Sequence, residues 1–180
     1  MPSLNELAQL TYATLQYYMD QRGIDLAVGP LTVADTTSLC RAYGDLNWEW
    51  YITEIGNRDD CFELGIKLIT SREHKLVESS PAGVSMSTYS ISAKTFDIHA
   101  VENLVKDSED HPLRRRMVLY TLYAAVIFMN QAGGETIRII EPVKERIPYY
   151  ESFGFEVSDC SYVMTCSLAK LQETMASLAE

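Results

Sequence analysis

Residues 135–155, ETIRIIEPVKERIPYYESFGF, constrain the fold more tightly than any other stretch of the chain. They read as a short strand, an amphipathic helix and the start of a second strand in immediate succession. Gly154 suits a left-handed helix C-cap, and Phe155 can begin a buried strand. A strand that returns through a helix supplies a parallel element. Upstream, three β-rich runs follow one another with no helix between them. CFELGIKLI over Cys61–Ile69 alternates Phe62, Leu64, Ile66 and Leu68 against Glu63, Gly65 and Lys67, and residues 84–91 and 95–104 continue the pattern. Consecutive strands pair antiparallel, so the expected fold class is α/β with a mixed central sheet flanked by helices.

Helical periodicity frames this sheet. Leu4, Leu7, Ala8, Leu15 and Tyr18 predict a first helix that stops at Gly23. A second begins near 32–34, with Asp35 and Thr36 as candidate early-turn caps, and runs to Tyr43. LNWEWYITEIG fits either a helix or a short strand. The cluster Ser79-Ser80-Pro81-Ala82-Gly83 reads as a turn after the strand at 61–69 and its polar extension. Residues 113–132, LRRRMVLYTLYAAVIFMNQA, predict a long, largely buried helix ended by Gly133-Gly134. Residues 157–167 read as a last strand and 168–179 as a terminal helix. No repeat, low-complexity tract or linker divides the 180 residues, so one domain is expected.

Composition excludes several classes of function. No uninterrupted apolar window of about 18 residues exists, and MPSLNELAQL lacks the basic and apolar regions of a signal peptide. The reading is a soluble, cytoplasmic chain without a membrane partner. Cys40, Cys61, Cys160 and Cys166 are scattered, which suggests free, mostly buried thiols, not a zinc site or a disulfide scaffold. A net charge of −10 argues against nucleic acid. Within this acidic chain Arg114-Arg115-Arg116 forms a compact basic cluster, suited either to a small anionic ligand or to a solvated helix start.

Candidate chemistry lies beside that cluster. Along 95–104, Phe96, Ile98, Ala100 and Leu104 share an apolar face with Glu102. A carboxylate among apolar neighbours has its pKa raised by desolvation, towards the value a general base needs; otherwise Glu102 is a solvated residue at the strand end. His99 and Asp97 fall on the opposite face. Tyr149 and Tyr150 are adjacent on the short helix, where both can serve as packing residues. No G-x-S-x-G, Walker loop, H-E-x-x-H or Gly-rich dinucleotide turn is present.

The segment Tyr149-Tyr150-Glu151-Ser152-Phe153-Gly154-Phe155-Glu156 resembles the closing motif of the GNAT superfamily of acyl-CoA-dependent N-acyltransferases. The resemblance covers roughly residues 30–168, with helices at 1–23 and 168–180 as additions. It implies that Tyr150 protonates the departing coenzyme A thiolate and that Glu102 deprotonates the amine. It further implies that the strand carrying Ala100 and Val101 pairs with the pantetheine arm, and that the strands at 135–140 and after Phe155 splay to leave a cleft. The family's pyrophosphate signature, Gln/Arg-x-x-Gly-x-Gly/Ala, falls at 111–120, where Arg114, Arg115 and Arg116 stand at the helix start. Its glycines are absent: counted from Arg114 their positions hold Met117 and Leu119, and from Arg115, Val118 and Tyr120. Arginines can hold phosphate by charge and bidentate hydrogen bonds instead. Upstream of Tyr150, Val143 and Arg146 stand where the family often keeps Asn and Ala, and Arg146 either pairs with Glu141 or Glu145 or lies on the coenzyme's path. Trp48, Trp50 and Tyr51 form either an acceptor wall or core. The function implied is transfer of an acyl group from acetyl-CoA or another acyl-CoA to a small-molecule or protein amine. The alternative is a non-catalytic GNAT-like domain that binds a protein or small ligand. A homodimer is compatible with both.

Overall fold

A computed structural model of the chain describes residues 1–41, 43–56, 58–70 and 79–178. Helix α1 (Leu4–Gln21) is opened by a capping box in which Ser3 and Glu6 satisfy each other's backbone N–H. Its buried positions Leu7, Ala8, Thr11, Tyr12, Leu15 and Met19 follow the helical period. Next come β1 (Ala27–Gly29), α2 (Val33–Cys40), and α3 (Trp48–Trp50), which continues directly into a π-helical turn, Tyr51–Ile55. Three antiparallel strands follow, β2 (Cys61–Ile69), β3 (Gly83–Ser90) and β4 (Thr95–Asn103). The long helix α4 (Met117–Ala132) ends on a left-handed Gly133 with φ +70°. The chain closes through β5 (Thr136–Ile140), α5 (Ile147–Glu151), β6 (Glu156–Val157), β7 (Val163–Ser167) and α6 (Leu168–Leu178).

The sheet is mixed, as expected. Its seven strands run β1-β2-β3-β4-β5-β7-β6, with β4 and β5 parallel and every other neighbour antiparallel. One face packs on α4, whose Phe128 meets Phe62, Tyr89 and Phe96 at ring distances of 5.5–5.9 Å. α1 and α6 flank α4 on that side. The other face carries a smaller apolar cluster, with Leu39 and Trp48 against Val84, Met86 and Ala100.

A β-bulge positions the site. Met86 pairs with Ala100 and Ser87 with Ile98, so His99 is the extra residue on β4. Phe96 and Ile98 therefore face α4, whereas Ala100 joins the cluster around Trp48 and Val101 turns back to the main core. This corrects the expectation of one apolar face shared by Phe96, Ile98, Ala100 and Glu102. Periodicity of two assumes an unbroken ladder, and the bulge breaks it.

Other expectations change for similar local reasons. The three-residue β1 falls below the length at which alternation shows. Thr32, not Thr36, is the N-cap of α2, with Asp35 completing the box. α4 starts four residues later than the apolar run at 113, because 112–116 form turns. The last strand divides into β6 and β7 around a turn that holds Ser161 at φ +59°. β5 pairs along its whole length with β7, so the expected parting of the strand at 135–140 from the one after Phe155 does not occur. Cys40 and Cys160 are exposed, and among the four free thiols only Cys166 is buried. The polar extension of the strand at 61–69 and the expected helix end at Ala179 lie outside the described residues.

Candidate active-site cleft

The sheet parts between β4 and β5. Their parallel pairing covers Thr95–Thr136 to Ile98–Ile139 and stops there, at the bulge, while β4 continues to Asn103. A cavity of about 110 Å³ opens in the gap, floored by His99, Ala100 and Val101 on one side and Ile139 and Ile140 on the other. It continues into a wider space of about 400 Å³ that reaches Lys106, Arg115 and Arg146. Leu46, Val101, Val118, Val143 and Tyr150 line both, so the two are one cleft.

Tyr150 sits half-buried on the cleft wall, carried there by α5. Burial pushes its phenol above the ordinary tyrosine value, against a smaller downward pull from the Arg146 guanidinium. The hydroxyl therefore keeps its proton at neutral pH. Tyr149 packs edge-on against Phe153 at 5.2 Å and lines only the wider part of the cleft, whereas Tyr150 lines both parts.

Glu102 is buried, 8% exposed, but its surroundings are not the apolar ones expected. Its carboxylate accepts from the backbone N–H of Asp45, from that of Leu46 at 3.1 Å and from the Trp48 indole N–H at 2.7 Å. A Cβ added at Gly44 would run into it. All of these partners donate to the carboxylate, which is the environment of an anchor for the 44–48 loop.

The arginines do not act as one group. Arg115 lines the cleft, and its backbone takes a left-handed φ of +58°, where glycine is the usual residue. Arg114 turns away, its Nη1 donating to the Glu109 carbonyl at 3.4 Å. Arg116 is the N-cap of α4 without a side-chain cap bond, and its guanidinium lies beside Tyr120. Residue Arg146 fills the role of a second cation on the wall, and among the described residues no ion pair joins it to Glu141 or Glu145.

Two cleft residues, His99 and Glu141, were not read as such from the sequence, whereas Tyr51 was named as either acceptor wall or core. His99 reaches the cavity through the bulge, and its Nε2 lies 2.8 Å from Thr88 Oγ1. Glu141, at the end of β5, lines the same cavity with φ +51°. Tyr51, in the π-helical turn, borders it too, whereas Trp48 is core at 1% exposure and Trp50 is exposed. Neither a bulge nor a π-turn has a periodic signature, and the adjacent Pro142 was the one local hint at Glu141. Among the described residues no three His, Cys, Asp or Glu side chains gather as a metal site, and no helix is long and apolar enough to cross a membrane.

No family model and no curated relative matches the chain. Solved structures do. AtaTR bound with AcCoA is similar at TM-score 0.57 and 13% identity, over 84% of this chain and 98% of that one. The spermidine/spermine N-acetyltransferase SpeG from Vibrio cholerae gives 0.55 at 10% identity, over 84% and 98%. The ribosomal-protein-S18-alanine N-acetyltransferase from Escherichia coli gives 0.52 at 10% identity, over 79% and 94%. At such identities the likeness is one of fold: the chain has the GNAT N-acetyltransferase fold.

Proposed function

We propose that the chain is an acyl-CoA-dependent N-acyltransferase that moves an acyl group from the thioester to an amine. The observation that carries this reading is the cleft between β4 and β5 with the protonated Tyr150 on its wall. Among the described residues no strand pairs with β4 on its β5 side beyond Ile98, which leaves backbone groups near Ala100 and Val101 open to an extended, amide-bearing arm. Arg115 and Arg146 supply positive charge along the wider part of the cleft, where Lys106 is ion-paired with Asp45, and α4 points its N-terminus there. These residues fit an acyl-CoA, whose thioester supplies the activated carbonyl. Solved structures of the same fold contain AcCoA.

Within this reading Tyr150 donates its phenolic proton to the departing thiolate, and Glu102 acts through the 44–48 loop as a positioning residue. The amine acceptor is a small molecule or a protein segment. A second reading, a non-catalytic binding domain, is favoured by one observation: Met117 to Tyr120 fill the positions of the signature glycines.

The two readings separate in one experiment. Calorimetric titration with acetyl-CoA measures binding, and thiol release across a panel of amines measures transfer. Tyr150→Phe is expected to slow transfer by roughly 10²–10⁴-fold with acetyl-CoA affinity nearly unchanged, because the ring still packs. Binding without any transfer in the wild type supports the second reading, and no binding removes the first.

A further inference from the structure

Three departures from regular backbone meet at one cavity: a β-bulge, a π-helical turn and a left-handed residue that is not glycine. His99 is the bulged residue of β4, Tyr51 opens the π-turn Tyr51–Ile55, and Glu141 holds φ +51° at the end of β5. All three line the 110 Å³ cavity that Tyr150 also lines. Bulges, π-turns and left-handed non-glycine residues persist where surrounding contacts enforce them, and such features cluster at functional sites. At Glu141 the enforcing contact is its own N–H, donated to the Tyr162 carbonyl at 2.7 Å.

The chemistry of the trio is specific. Glu141 is exposed, and among the described residues its carboxylate enters no ion pair or hydrogen bond. It is close enough to the half-buried Tyr51 ring to raise the phenol's pKa, after burial itself. Both line the same cavity, where a carboxylate and an aromatic ring can together receive an alkylammonium ion. His99 lines the same cavity. Burial lowers its pKa, with Asp97 opposing and Arg58 and Arg138 adding to the fall, so the imidazole is neutral and able to take a proton. Thr88 Oγ1 engages Nε2, which leaves Nδ1 as the basic atom when Nε2 carries the hydrogen. Arg138 is itself held by Asp97 through two contacts of 2.6 Å.

We infer that Tyr51, His99 and Glu141 form the acceptor subsite, in which Glu141 selects a protonated alkylamine and His99 takes the proton that frees its nitrogen to attack. The inference rests on the acyltransferase reading above for the attack, but the ammonium site stands on its own geometry. The transfer balances. The ammonium gives one proton to His99; the nitrogen–carbon bond forms as the carbon–sulfur bond breaks; the sulfur leaves with the Tyr150 proton. The nitrogen's second proton restores Tyr150 through solvent, and His99 releases its own to water.

The test has a binding arm and a kinetic arm. n-Butylammonium chloride is titrated at pH 7.5 into the intact protein without acyl-CoA, and the ring resonances lost in His99→Gln are followed by NMR, with sodium chloride as control. A saturable shift that weakens at least tenfold in Glu141→Gln is expected. In the kinetic arm, Glu141→Gln raises KM for butylamine about tenfold with kcat within twofold. Turnover of aniline, uncharged at this pH, is unaffected. His99→Gln slows butylamine turnover most at neutral pH, and the deficit shrinks towards pH 10, where free amine abounds. A missing shift, or one undiminished in Glu141→Gln, overturns the subsite even if transfer occurs. An intact shift with no transfer in the wild type overturns the acyltransferase reading alone.

Discussion

Glu102 shows how a single carboxylate changes meaning once its partners are known. Three N–H donors converge on it, and each hydrogen bond to a charged acceptor contributes about 1.5–3 kcal/mol, not additively. Glu102→Gln keeps the shape but turns an NH₂ group towards donors. We expect it to lower stability by about 1–3 kcal/mol in urea unfolding and to alter Trp48 fluorescence, while the shape of any pH–rate profile stays the same. A rate deficit that disappears at high pH, with stability intact, would restore Glu102 as the base. His99 gives a complementary acid test. Its folded pKa lies below the 6.5 of the free side chain. Between those two values the unfolded chain binds more protons, so stability falls as pH is lowered through about 6.5. The urea midpoint of the wild type should drop more between pH 7.5 and 5 than that of His99→Gln.

The elements divide into those that periodicity reveals and those that tertiary context creates. α1, α4, β2 and the turn from β5 through α5 were legible, because Leu7, Leu15 and Tyr18, or Phe62 to Leu68, repeat at helical or strand spacing. The position of Tyr150 was legible through the family resemblance of Tyr149 to Glu156, and it lies on the cleft wall. The bulge at His99 and the π-turn at Tyr51 were not: each is stabilised by neighbouring strands and side chains that a linear pattern does not contain. The start of α4 lies between these cases. Three arginines were visible as a cluster, but only the left-handed turn at Arg115 decides which one faces the cleft. Arg115→Ala should weaken acetyl-CoA or pyrophosphate binding by about 1.5–3 kcal/mol, the range for a lost charge-assisted contact. Arg114→Ala should change it by less than twofold. Arg115→Gly separates backbone from charge, because glycine relieves the positive φ while removing the guanidinium. Calorimetry should show the same binding loss as for alanine, with thermal stability equal to the wild type or higher.

For the molecule as a whole, α1 decides whether the helices outside the resemblance are appendages. Its buried face joins the main core through Leu7, Tyr12, Leu15 and Met19, and Tyr18 lies 4.7 Å from Tyr123 of α4. Tyr12 donates to the Gly65 carbonyl at 2.7 Å, and Gln16 bridges to Leu26 and Val28, which sets β1 beside β2. Stripping α1 would expose one side of an almost wholly apolar α4 and leave β1 without its brace. The cleft, by contrast, lies between β4 and β5 and receives no residue from α1. Core and site should therefore respond separately. Leu15→Ala, at a fully packed position, should cost about 2–5 kcal/mol in urea unfolding. Its acetyl-CoA affinity at 20 °C should remain within twofold of the wild type, since the folded fraction keeps an unaltered cleft. A protein lacking residues 1–23 should show no cooperative thermal transition. If that shortened chain instead unfolds cooperatively and still binds acetyl-CoA, α1 is an appendage, and the core that supports the cleft is smaller than the packing of α1 on α4 implies.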